Sequence, residues 1–206
     1  MAKRNTIRIL FLALPFLTAF SIPAGNSREY NYLTKPETFM HAAMIPQDDN
    51  HDFGDAPESY GSADHIITTY YLGGEADAEK GSQYSEEADG DDLNGIDDED
   101  GVTIPSLKQG EKATFRYNVS TPWLSTGYLN AWIDWNGDGD FDDQGERVAT
   151  DVRRGSGSYN LDVTVPSSAI ASRATFARFR FGPRSTGNPA YGSTGSANSG
   201  EVEDYI

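Results

Sequence analysis

The sequence contains no cysteine, so disulfides cannot hold the fold together and thiolate nucleophiles are excluded. Histidine is scarce: His41, His51 and His65 stand apart, without the close pair typical of zinc hydrolases. The nucleophile motif G-x-S-x-G is also absent. We therefore expect a protein that is not an enzyme, although so many acidic residues leave a carboxylate pair for glycoside hydrolysis as an open alternative.

Basic residues are few as well. Lysine and arginine total 16 against 32 aspartates and glutamates, which gives a formal net charge of −16. Nucleic acids and anionic membrane surfaces would repel such a chain. We expect neither as a partner. A chain this acidic is instead expected to bind cations.

Long apolar runs are confined to the N-terminus. Residues 9–20 are apolar, follow Lys3, Arg4 and Arg8, and precede a stretch of small residues. This layout is typical of a secretory signal peptide, which we assign to residues 1–25, followed by a flexible lead-in over 26–51. An uncleaved membrane anchor is the alternative, disfavoured because the run is short for a span. The prediction is a secreted or cell-surface protein with no membrane span after cleavage.

From residue 102 onward the sequence alternates between short strand patterns and turn signals. The period of two and the absence of a convincing helical period, except over 167–172, predict an all-β fold, an antiparallel β-sandwich of jelly-roll or Greek-key type with long acidic loops. We place this sandwich at 102–206 and an acidic calcium-loop segment at 52–101. The predicted strands are 102–104, 113–119, 129–135, 147–152, 159–165 and 175–181.

Residues 131–146, AWIDWNGDGDFDDQGE, begin as a strand and continue as an acidic turn. Crowded carboxylates repel one another unless a cation lies among them, and calcium takes about 6–8 oxygen ligands. The first six positions of the turn match a helix-loop-helix calcium loop, but the twelfth is Gly145, with Glu146 one place late. A solvated acidic turn is the alternative. The predicted calcium ligands are Asp134, Asn136, Asp138, Asp140 and Asp142.

Two further acidic clusters are candidate cation ligands. The run at 89–100 could form a second calcium site, or else a solvating linker. In a terminal strand, Glu201 and Glu203 share one face, from which they could complete the first site; an exposed edge strand protected by charge is the alternative. The predicted ligands of the 89–100 cluster are Asp91, Asp92, Asp97, Asp98 and Asp100.

Aromatic residues support an alternative function, the binding of carbohydrate. Three tryptophans, together with Tyr128 and Tyr191, could offer rings to sugars. Burial of large aromatic side chains is a dominant stabilising contribution, so we expect Trp132 and Trp135 to fill the core. Trp123, beside a proline, is the expected exposed ring.

Five motifs together resemble the GEVED domain family of secreted or surface proteins of bacteria, over most of residues 52–206: DFGDAPESYG, GDDLNGIDDEDGV, AWIDWNGDGDFDDQGE, ARFRF and GEVEDY. The resemblance implies a β-sandwich module in extracellular, often multidomain, proteins, with calcium-binding acidic motifs and no established catalytic activity. Its acidic turn falls on residues 134–142 and its name motif on Glu201, Glu203 and Asp204, which could close the first site.

These patterns together predict a calcium-binding module with a structural or adhesive role, whose partners are Ca²⁺ and surface glycans or other extracellular proteins. The alternative is a calcium-dependent carbohydrate-binding module accessory to an extracellular hydrolase.

Overall fold

Strands provide nearly all the regular structure in the part of the chain that the computed structural model describes, residues 50–90, 98–184 and 191–206. All of these residues belong to one unit, Met44–Ile206. The predicted signal peptide, nearly all of the lead-in, and Asp91, Asp92 and Asp97 lie outside the described residues. The strands are β1 His51–Phe53, β2 Ala63–Ile66, β3 Tyr71–Leu72, β4 Val102–Thr103, β5 Lys112–Ser120, β6 Gly127–Ile133, β7 Arg147–Arg154, β8 Gly157–Thr164, β9 Ala177–Gly182, β10 Gly195–Ala197 and β11 Glu201–Tyr205.

Two antiparallel sheets enclose the main core. One has the order β11-β9-β6-β7, and in the other β3, β4 and β8 all pair with β5. The alternation of β5 places Phe115, Tyr117 and Val119 on one buried face, as the sequence predicts. The ring of Phe115 meets that of Phe179 from the opposite sheet at 6.0 Å. This arrangement confirms the predicted all-β antiparallel sandwich.

A third sheet, β1-β2-β10, covers the outer face of the β9 sheet. Its strands β1 and β2 are antiparallel, whereas β10 joins β2 in parallel. The Arg180 guanidinium reaches across to it and donates to the Asp64 carbonyl and to His65 Nε2. Both faces of β9 are therefore buried, and the last strand is not an exposed edge: the first four residues of β11 are buried.

Most predicted strands are found within one to two residues of their expected bounds. The helical pattern over 167–172 is wrong, because the segment forms turns in which the Ile170 N–H donates to the Trp135 carbonyl. Within the described ranges, no helix has the length and apolar character needed to cross a membrane. Trp132 and Trp135 are buried as predicted, while Trp123 is 90% exposed.

Candidate metal centre

The acidic turn connects β6 to β7 as a long hairpin loop. The Ile133 N–H donates to the Glu146 carbonyl at 2.9 Å, which closes the loop at its base. Gly137 and Gly139 have φ values of 69° and 99°, a left-handed backbone that favours glycine. The two glycines allow the chain to coil so that its side-chain oxygens turn inward.

Three carboxylates converge inside this loop. Asp134, Asp138 and Glu146 each offer an oxygen, and these atoms all lie within 4.8 Å of one another. Asp134 and Glu146 are buried, and Asp138 is exposed at the open side. Oxygens at such spacing, open to solvent on one side, fit a hard divalent cation that retains some water.

The loop and its surroundings hold Asp134 in place. One carboxylate oxygen, Oδ2, accepts hydrogen bonds from the Tyr60 hydroxyl at 2.7 Å and from the Gly139 N–H at 3.1 Å. The Tyr60 ring packs against Phe141 and Phe176, with centroids 4.7 and 5.0 Å away. Burial and the neighbouring Asp134 raise the pKa of the Tyr60 hydroxyl, so it acts as a neutral donor. The protein itself therefore holds the Asp134 carboxylate in place.

Glu146 is the member of this group that sequence reasoning missed. Its carboxylate accepts hydrogen bonds from the N–H groups of Trp135 and Asp143, at 3.1 and 3.2 Å. Burial, with a further contribution from the charges of Asp134 and Asp138, raises the pKa of Glu146 to about 7. The signal that could have found it is the hairpin, because its closing pair is Ile133 and Glu146, which brings Glu146 back beside Asp134, the residue after Ile133.

The other predicted ligands of this loop form local hydrogen bonds. The Asn136 amide donates to Asp138 Oδ2 at 2.9 Å and to Asp143 Oδ2 at 2.6 Å. The Asp142 N–H donates to Asp140 Oδ1 at 2.9 Å, a turn contact. Asp140 and Asp142 are thus not part of the convergent group of three.

The three terminal acids contact other parts of the molecule. Glu201 accepts a hydrogen bond from the Leu72 N–H and Glu203 from the Gly101 N–H, on one face of β11. On the opposite face, Asp204 pairs with Arg178, with 2.6 Å between Asp204 Oδ2 and Arg178 Nη2. None of the three joins the group of Asp134, Asp138 and Glu146.

Asp98 and Asp100, the two predicted ligands of the 89–100 cluster within the described residues, lie beside the terminal strand. Asp98 is buried, with 2% of its surface exposed, and accepts a hydrogen bond from the Asp77 N–H at 2.7 Å. Asp100 accepts from the Gly74 N–H at 2.8 Å. The charge of Asp98 acts on both Glu201 and Glu203, so two clusters distant in sequence meet in the fold.

The fold and this loop define a class of protein: an all-β module with a preorganised carboxylate site at one end of its sandwich. Residues 128–206 match the family model of the GEVED domain, which confirms the resemblance over that part of the chain. The match contains the acidic loop and the terminal strand, whereas the third sheet draws β1 and β2 from residues before it. Comparisons with curated proteins and with solved structures gave no significant match.

Proposed function

We propose that the protein is a secreted calcium-binding module with a structural or adhesive role in a bacterial extracellular or surface protein. The observation that carries this proposal is the convergence of the Asp134, Asp138 and Glu146 oxygens within 4.8 Å. Hard cations prefer such oxygen ligands, and extracellular fluids supply calcium at millimolar concentration. Asp134 and Glu146 would hold the ion from the buried side, and Asp138 from the open side.

A structural role follows from where the ion would lie. The loop joins two neighbouring strands of one sheet, and through Tyr60 it also contacts the segment between β1 and β2. An ion that binds only the folded state stabilises it by mass action, which suits a chain without disulfides. In this proposal the module has no catalytic activity, and it presents a calcium-stiffened surface to other extracellular proteins or to glycans.

Calcium is expected to raise the melting temperature of the full chain. At 5 mM calcium, an extracellular site with a Kd of roughly 10⁻⁴–10⁻³ M contributes about 1–2 kcal/mol, a shift of about 2–8 °C. Asp138→Asn should remove most of this shift, because it removes the charge of the exposed ligand. The measurement is thermal unfolding followed by circular dichroism, in EDTA and in calcium.

Asp143→Asn is the matched control for this experiment. Asp143 is an exposed aspartate of the same loop that also accepts a hydrogen bond from the Asn136 amide, but it lies outside the convergent group. It should keep the calcium shift. The absence of a shift in the unaltered protein, or an equal loss in both variants, would contradict the proposal.

The carbohydrate-binding alternative rests on a single observation, the exposed pair Trp123 and Leu124 at the β5–β6 turn. The tyrosines give it no support, because Arg184 lies over the ring of Tyr128 and Arg180 over that of Tyr191. If the module binds glycans through this turn, Trp123→Ala should abolish retention on polysaccharide affinity gels without changing the melting temperature. A glycan panel that retains neither form removes this alternative.

A further inference from the structure

Most of the exposed large apolar side chains of the described residues lie in two places. Five such side chains are exposed: Tyr84, Leu107, Trp123, Leu124 and Ile206. Trp123 and Leu124 are adjacent in the turn between β5 and β6, and Leu107 and Ile206 both line one groove. Single exposed apolar residues are ordinary, whereas grouped ones mark surfaces that bind other molecules. The turn and the groove are therefore candidate contact surfaces.

The turn, residues 121–126, holds its two apolar side chains out into solvent, with Trp123 90% and Leu124 86% exposed. The Thr121 N–H donates to Ser156 Oγ at 2.9 Å, which ties the turn to the neighbouring β7–β8 turn. Leu124 has a φ of 60°, a left-handed backbone that costs free energy for a residue other than glycine. A turn already fixed in this form loses little conformational entropy when its side chains enter a partner.

The groove opens at the other end of the sandwich and has a volume of about 160 Å³. Its lining is mainly apolar, includes Ile104, Phe115 and Ile133, and contains no charged side chain from the described residues. β6 begins directly after the turn and ends at Ile133, so a strand of 7 residues, roughly 20 Å long, separates the two surfaces. The turn therefore cannot fill the groove of its own molecule.

Charge favours contact between the turn of one molecule and the groove of another. Two copies with a net charge of −16 repel one another wherever acidic surfaces meet, but the turn contains no charged residue. Beside the turn, the Arg153 guanidinium donates to Thr126 Oγ1 at 2.9 Å. Beside the groove lies the acidic loop, because the Asp134 N–H donates to the carbonyl of Phe176, a groove residue. Opposite charges would thus flank the contact.

We propose that Trp123 and Leu124 of one molecule insert into the groove of a second copy of this chain. The inference goes beyond the proposed function and does not depend on the ion. Because the two surfaces differ and lie at opposite ends, the contact is heterologous and joins copies head to tail, rather than as a two-fold dimer. Two side chains bury less area than a standard interface, so the association is weak and reversible.

Analytical ultracentrifugation of the full chain over a range of concentrations tests the proposal. Trp123→Ala removes the inserting ring, and Leu107→Glu places a charge at the rim of the groove. Each variant alone should associate at least about tenfold more weakly than the unaltered protein, the loss expected for a central interface residue. Their equimolar mixture should form heterodimers that do not extend, because one variant keeps the groove and the other keeps the turn.

Tyr84→Ala is the matched control, since it removes an exposed aromatic side chain outside both surfaces, and it should associate as the unaltered protein does. Ile206→Glu charges the same groove rim as Leu107→Glu and serves as the second groove variant. Association that is unchanged in the turn and groove variants would overturn the proposal. So would a mixture that associates no more strongly than either variant alone.

Fluorescence quenching by acrylamide gives a second readout, because Trp132 and Trp135 are buried and Trp123 is exposed. Trp123→Ala protein supplies an intact groove, so adding it to Leu107→Glu protein should protect Trp123 from acrylamide and shift its emission to shorter wavelength. The emission of Trp123→Ala protein alone is subtracted. Adding more Leu107→Glu protein should change neither property. If Trp123 stays equally accessible in the mixture, the groove of a second copy does not receive it and the inference is wrong.

Discussion

Replacing Asp204 with asparagine is expected to reduce the free energy of unfolding by about 3–5 kcal/mol, because it leaves the buried Arg178 charge without its partner. Both side chains are fully buried, and two hydrogen bonds of 2.7 and 2.6 Å join them. The loss corresponds to a fall of about 6–20 °C in melting temperature. Urea unfolding in calcium at pH 7 measures it.

The matched control is Asp162→Asn. Asp162 pairs with Lys112 at 3.2 Å, but both side chains are more than half exposed, at 51% and 64%. Water and salt screen an exposed pair, so this variant should unfold close to the unaltered protein. A loss below 1 kcal/mol for Asp204→Asn would contradict the role assigned to the buried pair.

The Asp204→Asn variant also tests whether Asp204 is a calcium ligand, as the family resemblance implies. Asp204 Oδ2 also accepts a hydrogen bond from the Ala56 N–H at 2.9 Å, so its oxygens already have partners in the protein. We therefore expect the folded variant to bind calcium with unchanged stoichiometry. Loss of one ion per chain would instead place Asp204 among the ligands.

Local periodicity predicts the main sandwich well. Alternation along β5 gives the buried ring positions correctly, since one face of that strand meets the core and the other meets solvent. The same rule fails in β9, where Arg178 and Arg180 should be exposed but are buried. The failure has a physical cause: a third layer covers that face, and carboxylate and carbonyl oxygens pair with the two guanidinium groups.

The third sheet could not be predicted from local sequence. Its strands β1, β2 and β10 have only three or four residues, too few to show a period. Their pairing joins residues far apart in the chain, such as Ser196 with Asp64. Contacts of this kind leave no local signal, because they depend on the closed tertiary structure.

The sequence predicts only part of the candidate site, because the folded structure decides which residues meet there. The density of aspartates identifies the loop, and two of its five predicted ligands, Asp134 and Asp138, belong to the convergent group. A linear ligand spacing learned from helical calcium loops misplaces the last ligand, because in a hairpin the strand register determines which residue returns to the site. Here the closing pair is Ile133 and Glu146, which brings Glu146 beside Asp134.

The stability of the calcium-free protein is expected to decrease as the pH rises from about 4.5 to 7. Burial raises the folded-state pKa of Glu146 to about 7 and those of Glu201 and Glu203 well above the ordinary range. In this window the folded protein holds protons that the unfolded chain has released, so each such group destabilises the fold as the pH rises. His65 has the opposite effect on stability below its usual pKa, because burial lowers its folded-state pKa and the folded protein then holds fewer protons than the unfolded chain. It is a single group, whereas three carboxylates lower the stability as the pH rises. Urea unfolding in EDTA should show the decrease, and saturating calcium should reduce it by the share of Glu146, since a bound cation stabilises that carboxylate in its charged form. In Glu146→Gln, the slope of the free energy of unfolding against pH in EDTA should become shallower by up to about 1.4 kcal/mol per pH unit, the contribution of one proton. An unchanged slope would show that Glu146 titrates in the folded protein as it does in the unfolded chain.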